Sequence, residues 1–202
     1  MSVEQRRVDV SGLPSVVFGH HSIMWWGTLG FMLIEGFTLV LMMASYLYLR
    51  MNELDWPPGR TPDPDLIVPT INTILLLVVI VPLQAADRAS RAFDRQGVIR
   101  ALASATALSA LISIMRWPEL LALNVRFDAH AYASAAWATV LLHGTLVVAD
   151  FLETGLLLVM FLVGRATRKH YTDVGDALMY QWFLSLIWLP IYFLVYWSPR
   201  LW

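Results

Sequence analysis

The chain has 202 residues, 58% of them hydrophobic and 14% charged, with a formal net charge of −1 and a mean hydropathy of +0.61. Soluble domains carry about 25% charged residues; so short a chain cannot hide this much apolar surface, and its solvent is in large part lipid. No basic surplus exists to neutralise phosphates, which excludes nucleic-acid binding, and the absence of cysteine excludes disulfides, thiolate metal sites, iron–sulfur clusters and a cysteine nucleophile.

In chain order, residues 1–21 are mixed and polar. They lack an apolar run followed by a small-residue cleavage site, and read as a short tail rather than a signal peptide. Five apolar segments follow, at about 22–49, 66–86, 98–115, 131–164 and 177–196. Each reaches the length of roughly 20 residues that crosses a bilayer, 98–115 barely so, whereas 131–164 is very long: one tilted helix or one with an exposed end, too short for two spans and a turn. The expectation is an all-α, polytopic membrane bundle of five transmembrane helices, with residues 22–202 as one membrane domain. The loop at 50–65 contains Trp56-Pro57-Pro58-Gly59, Pro62 and Pro64 and reads as rigid and non-helical. Pro69 sits where a helix start tolerates a missing N–H. Pro82 and Pro190 are expected to kink or end their helices.

Basic residues orient the segments. Arg6, Arg7, Arg88, Arg91, Arg95, Arg100, Arg165, Arg168 and Lys169 fall on one side, nine in all; Arg50, Arg60, Arg116, Arg126 and Arg200, five, fall on the other. The bias predicts a cytoplasmic N-terminus and a C-terminus outside, in the periplasm. Trp25, Trp26, Trp56, Trp117, Trp197 and Trp202 fall near the predicted interfaces.

Few groups in the spans can carry chemistry. Of five histidines, His20 and His21 sit at the mouth of the first span, His130 and His170 in loops, and His143 deep in the fourth span. One buried histidine cannot hold a bis-His haem or a copper ion, so no metal or haem is expected in this chain. Glu35 lies near the middle of the first span, where a carboxylate costs about 2.5–3.5 kcal/mol on insertion scales. It reads as a proton site, a lipid contact or an interhelical hydrogen bond. His143, Asp150 and Glu153 share one side of the fourth span. They read as a polar seam between helices or a proton relay. Ala103, Ala107 and Ala110 give the third span a small face suited to close packing.

Together the segments resemble subunit III of the haem–copper cytochrome c oxidases. Trp26-Gly27-x3-Phe31-x3-Glu35, ending at Tyr46-Leu47-Tyr48-Leu49-Arg50, is similar to the family helix that carries a buried glutamate. Pro69-x-x-Asn72-Thr73-x-x-Leu76 is similar to the next helix. Arg116-Trp117-Pro118-Glu119 stands in place of a family Gln-x-x-Glu. Tyr132-Ala133-Ser134 precedes His143-Gly144 at the family separation, and Gln181-Trp182-Phe183 through Trp188 to Tyr196-Trp197 resembles the final helix. The sequence departs from the pattern at Leu146 and Trp182, where histidines are usual, and at Ser185, where aspartate is; Asp150 and Glu153 are additional. It resembles a short, five-helix form without the first two helices of the long one.

The resemblance implies a non-catalytic subunit of a terminal oxidase in the bacterial inner membrane. Such a subunit packs on subunit I, in a complex with subunit II, and holds no cofactor itself; haem and copper belong to the partners. It binds phospholipid and supports proton uptake and stability, with Glu35, Trp26 and His21 as the candidate residues. A quinol oxidase subunit III or a nitric oxide reductase accessory subunit is the near alternative. An independent ion transporter using Glu35, Asp150 and Glu153 is the rival from another class; the internal pseudo-symmetry common to transporters is not visible.

Overall fold

A computed structural model describes residues 16–201; Arg6, Arg7 and Trp202, and the side chain of Arg60, lie outside the described residues. All described regular structure is helical. A short 3-10 turn, Gly19–His21, leads into α1 (Ile23–Asn52). Next come α2 (Ile67–Val78), α3 (Ile80–Arg91), α4 (Arg95–Leu121), α5 (Ala131–Leu162) and α6 (His170–Tyr192). A π-helical stretch, Phe193–Trp197, and a last turn, α7 (Ser198–Leu201), continue α6. Five helical runs are long and apolar enough to cross a membrane, with α2 and α3 forming one and α6 to α7 another.

Local chemistry sets several boundaries. Ser22 caps α1 by accepting from the Met24 N–H, Asp94 caps α4 at Gln96, and the His130 ring caps α5 by accepting from Ala133. Such caps take up N–H groups that a helix start leaves without partners. His130 is therefore a cap and His170 the first residue of α6, rather than loop residues. Pro82 has no N–H to offer the Val78 carbonyl, and regular helix is interrupted there, at Val79. Pro190 does not break α6; the α-helix gives way to the π-helical stretch two residues beyond its last turn's proline.

The third and fifth spans are longer than the apolar runs. Helix α4 passes through Arg116, Pro118 and Glu119 to Leu121, so Arg116 is a buried helical residue and not a charge of the outer loop. Its partner explains the continuation: Arg116 and Glu119, one turn apart, form an ion pair at 2.7 Å, the spacing at which helix side chains meet. Helix α6 starts seven residues before 177 and takes Asp173 and Asp176 with it.

The bundle is antiparallel between sequential spans. Arg95, at the start of α4, donates to the carbonyls of Phe161 and Leu162 at the end of α5, satisfying groups that a helix end leaves open. The opposite end is closed by rings: Tyr46, Trp56 and Tyr132 are buried, with centroids 4.9–5.8 Å apart. Trp56 thus pins its loop to α1 and α5 rather than facing a lipid interface.

Helix α1 is the least covered span. Leu39 and Tyr46 are its buried residues, whereas Phe31, Leu33, Ile34 and Phe37 are each about two-thirds exposed. On α4 the inward face is Leu102, Ala105, Ser109 and Ile112, and Ala103, Ser104 and Ala107 point outward.

Candidate functional site

Glu35 lies twelve residues into α1, about 18 Å along the helix axis. It is half-buried, and its Oε2 accepts a 2.7 Å hydrogen bond from the hydroxyl of Tyr180 on α6. The approach of the two helices is close here: a Cβ on Gly36 would lie 3.2 Å from the Phe183 ring. Below this contact α1 stands away from α5 and α6. A cavity of about 350 Å³ opens between them, lined by Gly27, Phe31 and Glu35 from α1, Asp150 and Glu153 from α5, and Tyr180.

Two further cavities extend this space toward the N-terminal end of α1. One of about 160 Å³ shares Met24, Thr28 and Glu153 with the first and adds His170, Asp173 and Asp176. The other, about 540 Å³, shares Met24 and Asp173 with the second and reaches His21, Lys169 and Thr172. Together they form one cleft from the basic end of the bundle to Glu35. Its floor is acidic and its mouth carries Lys169 and His21. Trp26, near the mouth, is 59% exposed and donates from its indole N–H to the His20 carbonyl.

The structure divides the residues singled out in the fourth span. Asp150, 2% exposed, and Glu153, exposed, join Glu35 at the cavity. His143 is fully buried and faces elsewhere: its Nε2 donates to the Leu184 carbonyl at 3.1 Å, and its ring lies 4.7 Å from Trp188. Seven residues keep His143 and Asp150 on the same buried face of α5, but Asp150 borders the cavity and His143 packs against α6. The hydrogen bond of His143 thus goes to the α6 backbone and not to either carboxylate.

Sequence reasoning also missed partners. Tyr180 gave no signal beyond being a polar residue in an apolar run. Asp173 and Asp176 lie just before the apolar run at 177–196, where hydropathy carries no signal for the helix. Glu119, fully buried, accepts from Arg116 Nη1 and Asn72 Nδ2, both at 2.7 Å; the i, i+3 spacing of opposite charges was its visible signal. Glu119, Asp173 and Asp176 thus join Glu35, Asp150 and Glu153 as acids within the helical spans. The final-helix motif residue Gln181 and the departures Trp182 and Ser185 also have defined places. Gln181 and Ser185 donate to the Leu76 carbonyl, and Trp182, 40% exposed, points outward. No group of three histidine or acidic side chains with metal-binding geometry occurs among the described residues.

A five-span helical membrane protein with an intramembrane carboxylate beside a cleft is the class these features define. The family of cytochrome c oxidase subunit III matches residues 15–200, and the chain belongs to it. It is 24% identical over 192 residues to a cytochrome c oxidase subunit 3 from Synechocystis, covering 91% of this chain and 80% of the relative. Against a subunit 3 from Thermostichus vulcanus it is 28% identical over 176 residues, covering 84% and 85%. Against the subunit 3 of Pongo pygmaeus it is 28% identical over 143 residues, or 70% of this chain, and spans about half, 55%, of that relative.

Proposed function

We propose that this chain is the non-catalytic subunit III of a cytochrome c oxidase in a bacterial inner membrane. It packs on the haem–copper subunit I in a complex that includes subunit II, binds phospholipid in the cleft beside α1, and supports proton uptake through Glu35. The carrying observation is the family match over residues 15–200, with Glu35 held by Tyr180 at the end of an open, acid-floored cleft.

Each part of the reading has its support. The apolar, two-thirds exposed side chains of α1 suit acyl chains along the cleft wall. Lys169 at the mouth suits a lipid phosphate. The outward small face of Ala103, Ser104 and Ala107 suits close approach of a partner helix. Haem and copper belong to the partner subunits, where electrons reach oxygen. The basic end of the bundle, with Arg88, Arg91, Arg95, Arg165, Arg168 and Lys169, faces the cytoplasm by the positive-inside rule, which puts the cleft mouth on the proton-uptake side.

The test is Glu35→Gln and Glu35→Ala in the assembled complex. The reading predicts reduced proton pumping or faster loss of activity during turnover in both. Unchanged turnover, pumping and long-term activity would reduce this chain to a scaffold.

A further inference from the structure

At the end of the bundle away from the cleft mouth, four side chains from three helices lie together: Asn72 and Arg116 both bond Glu119, and the Trp188 ring packs on both the Arg116 guanidinium and the His143 ring. Asn72 on α2, Arg116 and Glu119 on α4, and His143 on α5 are each 5% exposed or less. Their direct bonds use a small part of what they carry. Asn72 Nδ2 and Arg116 Nη1 both donate to one glutamate oxygen, Glu119 Oε2. His143 donates from Nε2, which leaves Nδ1 of the neutral ring as an acceptor.

Five buried atoms then have no partner within the described residues: Arg116 Nε and Nη2, Asn72 Oδ1, Glu119 Oε1 and His143 Nδ1. Two are donor nitrogens and three are acceptors. The Trp188 ring covers the guanidinium at 4.3 Å from its centroid. That attracts the charge from above but does not accept the in-plane N–H groups. Turning Arg116 into a two-bond fork on Glu119 would use Oε1 and leave Asn72 Oδ1 and His143 Nδ1 as they are. Buried polar atoms of this kind nearly always bond to protein or to ordered water, and internal waters characteristically make two to four such bonds. An anion suits the place poorly, because a carboxylate oxygen and an amide oxygen share it with the arginine.

We propose that this chain binds ordered water at Arg116, bridging Nε and Nη2 to acceptors on α2, α4 and α5. The water completes a network that joins Asn72, Arg116, Glu119 and His143 in one hydrogen-bonded unit. The site does not depend on the oxidase reading; it stands or falls whether or not haem-bearing partners accompany the chain.

The test is a structure of the chain purified from its native membrane, with whatever subunits accompany it, at a resolution that shows ordered water. The proposal predicts at least one water within about 3.2 Å of Arg116 Nε or Nη2 and of one of the three acceptors. Well-defined side chains with no such peak would overturn it. Arg116→Met, which keeps length and removes the donors, is predicted to lose the bridging peak. If that variant does not assemble, Arg116→Gln replaces it, with the same predicted loss of the bridge on the Nε side. An unchanged peak in whichever variant assembles would equally overturn the proposal.

Discussion

Two ion pairs in the same molecule show how environment sets the worth of a charge. Arg126 and Asp128 meet at 2.9 Å on an exposed loop, where water competes for both partners. The bonded guanidinium holds the Asp128 carboxyl below its ordinary value. Its stabilising effect is therefore present above the ordinary carboxyl range and lost as pH falls through the lowered value. Because the pair is exposed, Arg126→Ala is expected to lower the melting temperature at neutral pH only slightly. Arg116 and Glu119 have side-chain exposures of 7% and 0%, and removing one partner strands the other in an apolar surrounding. Glu119→Ala is expected to cost about 3–5 kcal/mol, read as a lower melting temperature or loss of assembled complex. Asn72→Ala removes one bond to the same carboxylate and is expected to cost less, about 1.5–3 kcal/mol. Equal melting temperatures for wild type and Glu119→Ala would contradict this account of the pair.

Among the elements, the long apolar runs were legible and their ends were not. Helix α5, predicted at 131–164, forms at Ala131–Leu162, because its run stays apolar apart from Asp150 and Glu153 and is closed by Gly164-Arg165. Helix α4 outruns its prediction by six residues at one end, because a hydropathy reading treats Arg116 and Glu119 as loop charges when they neutralise each other inside the helix. The site was legible in part: Glu35 was visible as a lone carboxylate in an apolar span, and Asp150 and Glu153 by their spacing. That His143 would turn to Leu184 depends on how α6 lies over α5, which no local spacing encodes. Contact between α1 and α6 narrows at Gly36 beside Phe183. Gly36→Val is expected to wedge the two apart at a cost of about 1–3 kcal/mol. Because the chain has no cysteine of its own, Thr28→Cys with Leu156→Cys across the second cavity can report this. Cross-linking should fall when Gly36→Val is added, and an unchanged yield would count against the glycine as the contact that sets the cleft.

For the molecule as a whole, the ends of the bundle differ in charge and the sides in coverage. Among the described residues the end carrying the cleft mouth holds Arg88, Arg91, Arg95, Arg165, Arg168 and Lys169. Arg126→Cys and Arg168→Cys, probed with an impermeant thiol reagent on intact cells, are expected to label and to stay unlabelled respectively; the reverse pattern would invert the topology. Exposed apolar side chains along α1 and the small outward residues of α4 leave two surfaces that the chain itself does not cover, consistent with the lipid and partner-helix contacts proposed above. The decisive measurement is purification through an affinity tag on this chain from its native membrane, followed by a reduced-minus-oxidised haem spectrum and an oxygen-consumption assay. The account predicts a multi-subunit complex with haem absorbance that reduces oxygen from a supplied electron donor. A monodisperse, haem-free protein without oxidase activity would contradict it.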